Sequence, residues 1–105
     1  MWIQLNVKYE LRSTEHFDKW IGKIKDRQTH ARILRRLDKL IIGAFGDCKA
    51  IRTNLFELRM FFGPGYRVYY TIQGKEIILL LVGGDKSNQA KDIEKATNLL
   101  KELEE

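Results

Sequence analysis

Residues 55–86 read LFELRMFFGPGYRVYYTIQGKEIILLLVGGDK, and the alternation within this stretch decides the fold. From Leu55 to Phe62 the even positions Phe56, Leu58, Met60 and Phe62 form one face of an extended run. The odd positions set Glu57 and Arg59 between Leu55 and Phe61 on the other face. The next run puts Tyr66, Val68 and Tyr70 on one side and Arg67, Tyr69 and Thr71 on the opposite side. Opposed residues of an antiparallel pair share a face, so the length of the turn decides whether the two charged sides coincide. A three-residue turn at Gly63-Pro64-Gly65 pairs Phe61 with Arg67 and Arg59 with Tyr69. A two-residue turn would set Arg59 against Val68 and Met60 against Arg67, burying charge against hydrophobe. The odd-numbered turn is therefore expected, with Glu57, Arg59, Arg67 and Tyr69 on one outward face. The third run, Glu76 to Val82, is almost wholly apolar and fits a strand covered on both sides or well inside a sheet.

Outward from this core, Trp2 to Leu11 alternates, with Ile3, Leu5, Val7, Tyr9 and Leu11 inward, and predicts a first strand. Ser13 or Thr14 then caps a helix whose stripe is Phe17, Trp20, Ile21 and Ile24 and whose end falls around Lys25 to Arg27. A second helix is predicted from His30 to Ile42, with Ile33, Leu34, Leu37, Leu40 and Ile41 toward the core and a basic band of Arg32, Arg35, Arg36 and Lys39. Neither helix can bury its stripe alone, so an antiparallel hairpin packed on the sheet is expected. Gly43 to Thr53 is the least determined segment and can hold a short extended piece. Gly83 to Ser87 reads as a flexible turn into a last helix capped by Ser87 or Asn88, with Ile93, Ala96, Leu99, Leu100 and Leu103 along one side. The expected order is β-α-α-β-β-β-α: a small α+β domain spanning 1–105, with a mainly antiparallel sheet of about four strands.

The chain has 105 residues, of which 44% are hydrophobic, enough for one domain with a modest core. Lys and Arg total 19 against 14 acids, a formal charge of +5 that suits a polyanion or an acidic protein partner. Cys48 stands alone, which excludes an internal disulfide and zinc-finger spacing and points to a reducing compartment. Lys8, Glu10 and Arg12 interrupt the start too early for a signal peptide, and Ile77 to Val82 is too short to cross a membrane, so a cytoplasmic location without membrane contact is expected. The sequence GGDKS lacks the spacing of a P-loop. His16 and His30 fall on helical stretches with no carboxylate-histidine constellation around them, and Cys48 has no motif of a nucleophile.

The charged face suits metal-free RNA cleavage, in which the 2′-hydroxyl of the RNA attacks the adjacent phosphate. The protein then supplies a base, cations for the developing phosphorane charge and an acid for the leaving 5′-oxygen. Arg59 and Arg67 are the candidate clamp, because planar guanidiniums match phosphate oxygens in a bidentate way. Glu57 is a candidate base, weak as a carboxylate, or else an orienting partner for either arginine. Lys49, Lys86 and Lys91 frame the segment as candidate phosphate contacts or proton donors, Tyr69 can stack on a base, and Arg36 belongs to the helical basic band. The alternative for the whole face is a solvated, ion-paired sheet surface of little energetic weight.

LFELR at 55–59, GPGYRVYY at 63–70, LLLVGGDKSNQAKDI at 79–93 and the preceding Lys49 together resemble the RelE/ParE superfamily of bacterial toxins, in particular its HigB-like branch, the addiction module killer proteins. The resemblance covers nearly the whole chain. It implies a RelE-like toxin fold with two helices after the first strand. It also implies the toxin of a type II toxin-antitoxin system: an mRNA endoribonuclease, ribosome-dependent and metal-independent, leaving a 2′,3′-cyclic phosphate and a 5′-hydroxyl and inhibiting translation. No cofactor is implied. The implied partners are a cognate DNA-binding, HigA-like antitoxin, the ribosome with its mRNA, and operator DNA reached through the antitoxin. By this likeness Arg67 binds phosphate and stabilises the transition state, Arg59 and the position of Glu57 correspond to basic residues of the preceding strand, and Lys49 matches a lysine before it. The chain departs from the pattern at Glu57, where relatives carry lysine, and near its end, where Lys86 and Lys91 stand without the histidine or tyrosine some family nucleases use. Two alternatives follow from those departures: a non-nuclease inhibitor of DNA gyrase, as in ParE-like members, or an antitoxin-binding module with decayed toxicity.

Overall fold

The structure, a computed structural model, describes residues 8–104. The elements run β1 (Glu10–Ser13), α1 (Glu15–Gly22), α2 (Arg27–Ile41), β2 (Cys48–Arg52), β3 (Leu55–Met60), β4 (Tyr66–Gln73), β5 (Ile77–Asp85), a single 3-10 turn over Lys86–Asn88 and α3 (Gln89–Glu104). They build one five-stranded sheet in the order β1-β5-β4-β3-β2. Among the described residues only β1, at one edge, runs parallel to its neighbour, while β2 through β5 pair antiparallel. The expected α+β architecture is thus found, with one strand more than expected. That strand is β2, formed by the undetermined segment before Thr53, and its short span with a register shift between Ala50 and Arg52 explains its weak pattern. Most of the expected first strand lies outside the described residues, and within them pairing begins only at Glu10.

The helix boundaries move for reasons of capping. Thr14 Oγ1 accepts from the Phe17 amide at 3.2 Å and donates to the Leu81 carbonyl at 2.6 Å, so it both starts α1 and ties it to β5. Asp26 accepts from the Thr29 amide at 3.0 Å and starts α2 at Arg27, three residues before the expected His30. With Asp26 used as a cap, α1 must stop earlier, and it ends at Gly22. Leu34, expected in the core stripe of α2, is exposed.

The alternation in 55–72 separates two cores. Leu58, Met60, Val68 and Tyr70 face Phe17 of α1 and Ile33, Leu37 and Leu40 of α2. Leu55, Tyr69, Leu79 and Leu81 face Ala96 and Leu100 of α3. The outward face expected for Glu57 and Tyr69 is therefore corrected: α3 covers it, and both residues are fully buried. The apolar run of β5 is explained by the same cover, since it lies between helices on both sides.

The turn between β3 and β4 preserves the expected parity and shifts the register. Met60 pairs with Tyr66, Arg59 with Arg67 and Glu57 with Tyr69, so five residues, 61–65, form the loop in place of three. The Gly65 amide bonds the Phe62 carbonyl at 3.1 Å, and Gly63 and Gly65 hold positive φ of 57° and 81°, which lets the extra residues fold back. Gly83 and Gly84, expected in a flexible turn, belong to β5. A Cβ on Gly83 would strike the indole of Trp20 on one face, and a Cβ on Gly84 would strike the Asp92 carboxylate on the other. The paired glycines thin the sheet where α1 and α3 approach it from opposite sides.

Candidate functional site

Placing Arg59 directly opposite Arg67 on one face would be unfavourable if both guanidiniums stayed together. Each has its own carboxylate instead. Arg59 Nη2 bonds Asp47 Oδ1 at 2.9 Å, and Arg67 Nε lies 3.5 Å from Glu57 Oε2. Asp47 enters this arrangement because its carbonyl also accepts the Arg59 amide at 2.9 Å, fixing the residue at the mouth of β2.

Glu57 is the hub. Tyr69 Oη donates to its Oε2 at 3.0 Å and Gln89 Nε2 donates to the same oxygen at 2.9 Å. Lys49 Nζ, from the neighbouring strand, stands 4.0 Å from Oε1. Burial, then the charge of Glu57 and the hydrogen bond to it, push the Tyr69 phenol well above its ordinary value, so it remains a donor at all ordinary pH. Its ring is enclosed by the second core and is not available for stacking on a base. Glu57 has no exposed surface and both neutral donors engaged, which suits orientation of Arg67 better than proton abstraction from a substrate.

Glu57 Oε1 and the Arg67 guanidinium are not saturated in this way. The Arg67 side chain is 12% exposed, yet Nε and Nη1 have no hydrogen-bond partner among the described residues. It opens into a small cleft of about 90 Å³ lined by Arg59, Met60, Phe61, Gly65, Tyr66, Arg67 and Lys86. Phe61, 74% exposed, stands beside Arg59 with the guanidinium carbon 5.4 Å from its ring centre. Three cations, of which Arg59 is paired with Asp47, and an exposed aromatic ring surround this cavity, an arrangement that can attract an anion. Phe61 was expected to pair with Arg67 in the sheet. Its role at the rim follows only from the longer loop.

The remaining candidates lie elsewhere. Arg36 bonds the Phe45 carbonyl and packs at Gly46, so it braces the loop after α2 and is not part of the cleft. Lys91 is exposed and lines a shallow depression with His16, Glu94, Lys95 and Asn98. Cys48 meets Tyr70 Oη at 2.7 Å on the opposite face, and burial raises its thiol pKa, which disfavours the thiolate. Gln89 and Asp92 carry no recognisable motif, yet α3 aims both at the sheet. Asp92 packs over Gly84, the register partner of Arg67, with Oδ2 buried and without a partner among the described residues. Burial raises its pKa.

This arrangement sits on a fold also found in solved structures. An arginine-to-alanine double mutant of Escherichia coli toxin RelE in the free state superposes with a TM-score of 0.71 at 15% identity, over 87% of this chain and 96% of that one. A conserved hypothetical protein of Helicobacter pylori gives 0.53 at 19% identity, over 75% and 96%. The fold is therefore that of a RelE-like toxin. In sequence, the chain belongs to the family described as phage-derived protein Gp49-like (DUF891), whose family model matches residues 19–101. It is also 44% identical over 94 residues to an uncharacterised protein of Haemophilus influenzae, spanning 90% of this chain and 95% of that protein. Among the described residues no helix is long and apolar enough to cross a membrane.

Proposed function

We propose that this protein is the toxin of a toxin-antitoxin pair, of the HigB-like type, and that it cleaves mRNA at the cleft around Arg67. The observation that carries the reading is Arg67 itself, a nearly buried arginine that lines a cationic cleft and has two guanidinium nitrogens without a partner among the described residues. A buried cation of this kind is costly unless an anion completes it, and a phosphate group supplies that charge. Lys86 and Arg59 add positive charge beside the two non-bridging oxygens, and Phe61 receives an unstacked base, which restricts the substrate to single-stranded RNA. Attack of the 2′-oxygen on phosphorus expels the 5′-oxygen, leaving a 2′,3′-cyclic phosphate and a 5′-hydroxyl once the two protons are exchanged. Alignment and stabilisation of the phosphorane charge are then the main contributions of the protein.

The translating ribosome presents single-stranded message and extended ribosomal RNA, a setting that suits the charge of +5. A separate antitoxin chain, DNA-binding and linking the pair to its operator, would hold the toxin inactive. The cytoplasm follows as the site of action. Induced expression is expected to arrest growth and translation, and Arg67→Ala to relieve both. The lining of the cleft also supports a second reading, because cations and aromatic rings bind an anion without supplying a carboxylate or imidazole for proton transfer. Under that reading the protein inhibits DNA gyrase, and supercoiling in a purified gyrase assay falls while RNA stays whole.

A further inference from the structure

A carboxylate oxygen has two lone-pair sites. On Glu57 Oε2 both are filled by neutral donors, Tyr69 Oη at 3.0 Å and Gln89 Nε2 at 2.9 Å. Arg67 Nε, 3.5 Å from that same oxygen, makes no hydrogen bond to it and has no other partner among the described residues. A movement of about 0.6 Å would close the contact to the usual charge-assisted distance. We infer that Gln89 and Tyr69 are positioning residues that occupy Glu57 Oε2 and so keep the Arg67 guanidinium available to a phosphate instead of hydrogen-bonded to that carboxylate. The inference rests on the reading of Arg67 as the phosphate contact.

The geometry explains why a buried carboxylate can sit beneath an anion-binding arginine. Glu57 holds the guanidinium near by charge, and two uncharged donors stop it from closing the bond. The donors come from different elements. Tyr69 lies on β4 beside Arg67, and Gln89 is the first residue of α3, so the seating of that helix sets the state of the arginine. The other oxygen, Oε1, has no hydrogen-bond partner among the described residues; Lys49, about half exposed, lies 4.0 Å from it and does not compete for Oε2.

The test follows the Nε–H resonance of Arg67, identified by its loss in Arg67→Lys, in the full chain. It is combined with the affinity for a 2′-O-methylated single-stranded RNA of about eight nucleotides. Removing either donor, by Gln89→Met or by the nearly isosteric Tyr69→Phe, is expected to slow exchange of that proton and to weaken RNA binding about tenfold, as a charge-assisted bond forms inside the protein. Adding Glu57→Gln to Gln89→Met removes the competing charge and returns affinity to within about twofold of the starting value. A residue that only seats α3 would give no such rescue. Unchanged Nε–H exchange in both single variants, or failure of the double variant to recover, overturns the inference; Tyr69→Phe carries the test alone if Gln89→Met does not fold. Slowed exchange together with RNA affinity insensitive to Arg67→Ala upholds the control exerted by Gln89 and Tyr69 and overturns the reading of Arg67 as the phosphate contact.

Discussion

At Arg67 two properties oppose one another: the side chain is largely withdrawn from water, yet two of its nitrogens are without partners among the described residues. Replacing it with alanine removes the guanidinium beside the cleft, and a loss of about 10²- to 10³-fold in RNA cleavage is expected. Lysine keeps the charge and loses the planar fork, so Arg67→Lys should fall between the two, a ranking readable from initial rates on one RNA. Asp92 supports a prediction of opposite kind. Its folded pKa lies above the ordinary value, mainly through burial, so the folded protein holds this proton more tightly than the unfolded chain. Stability is therefore unaffected by the group at pH below its unfolded value and falls as pH rises through the folded one. Asp92→Asn should raise the denaturant midpoint at pH 7 and leave it unchanged near pH 3. The position of Arg67 was legible in the sequence because strand alternation sets it on the face of Glu57 and Arg59, away from Tyr66, Val68 and Tyr70. Asp92 and Gln89 were not, because on an amphipathic helix a polar residue at the sheet-facing edge has the same pattern as one in water.

Among the elements, β4 and β5 were readable from alternation and apolar runs, and β2 was not, since an edge strand with two exposed residues in mid-span carries no period. Parity of the 61–65 loop survived although its length did not, because a shift of two residues leaves every side chain on its own face. The expected outward face failed for a reason the strands do not contain: α3 returns over it, and nothing within 55–71 says which face a later helix covers. Two substitutions probe how these elements are joined. Thr14→Ala removes both the cap of α1 and its bond to β5 and should cost about 1–2 kcal/mol in urea unfolding. Gly84→Ala drives a methyl into Asp92, forcing α3 outward, with a loss of about 1–3 kcal/mol and weaker RNA binding because Gln89 moves with the helix.

For the whole molecule, the charge of +5 and the basic cleft make binding depend on salt. Three cationic contacts predict a slope of about −2 in log affinity against log salt for single-stranded RNA, and Arg67→Ala should reduce its magnitude by about 0.7. A slope unaltered by that variant would move the binding surface elsewhere, for example to the basic band of α2. The chain belongs to the Gp49-like family and has a RelE-like fold, and cleavage of RNA at the cleft is the central proposal. Its most direct test is sequencing of 5′-hydroxyl RNA ends after induction of the native chain and of Arg67→Ala, read beside growth. New ends within translated frames, present with the native chain and absent with the variant, are the predicted result. Growth arrest with messages intact would contradict it.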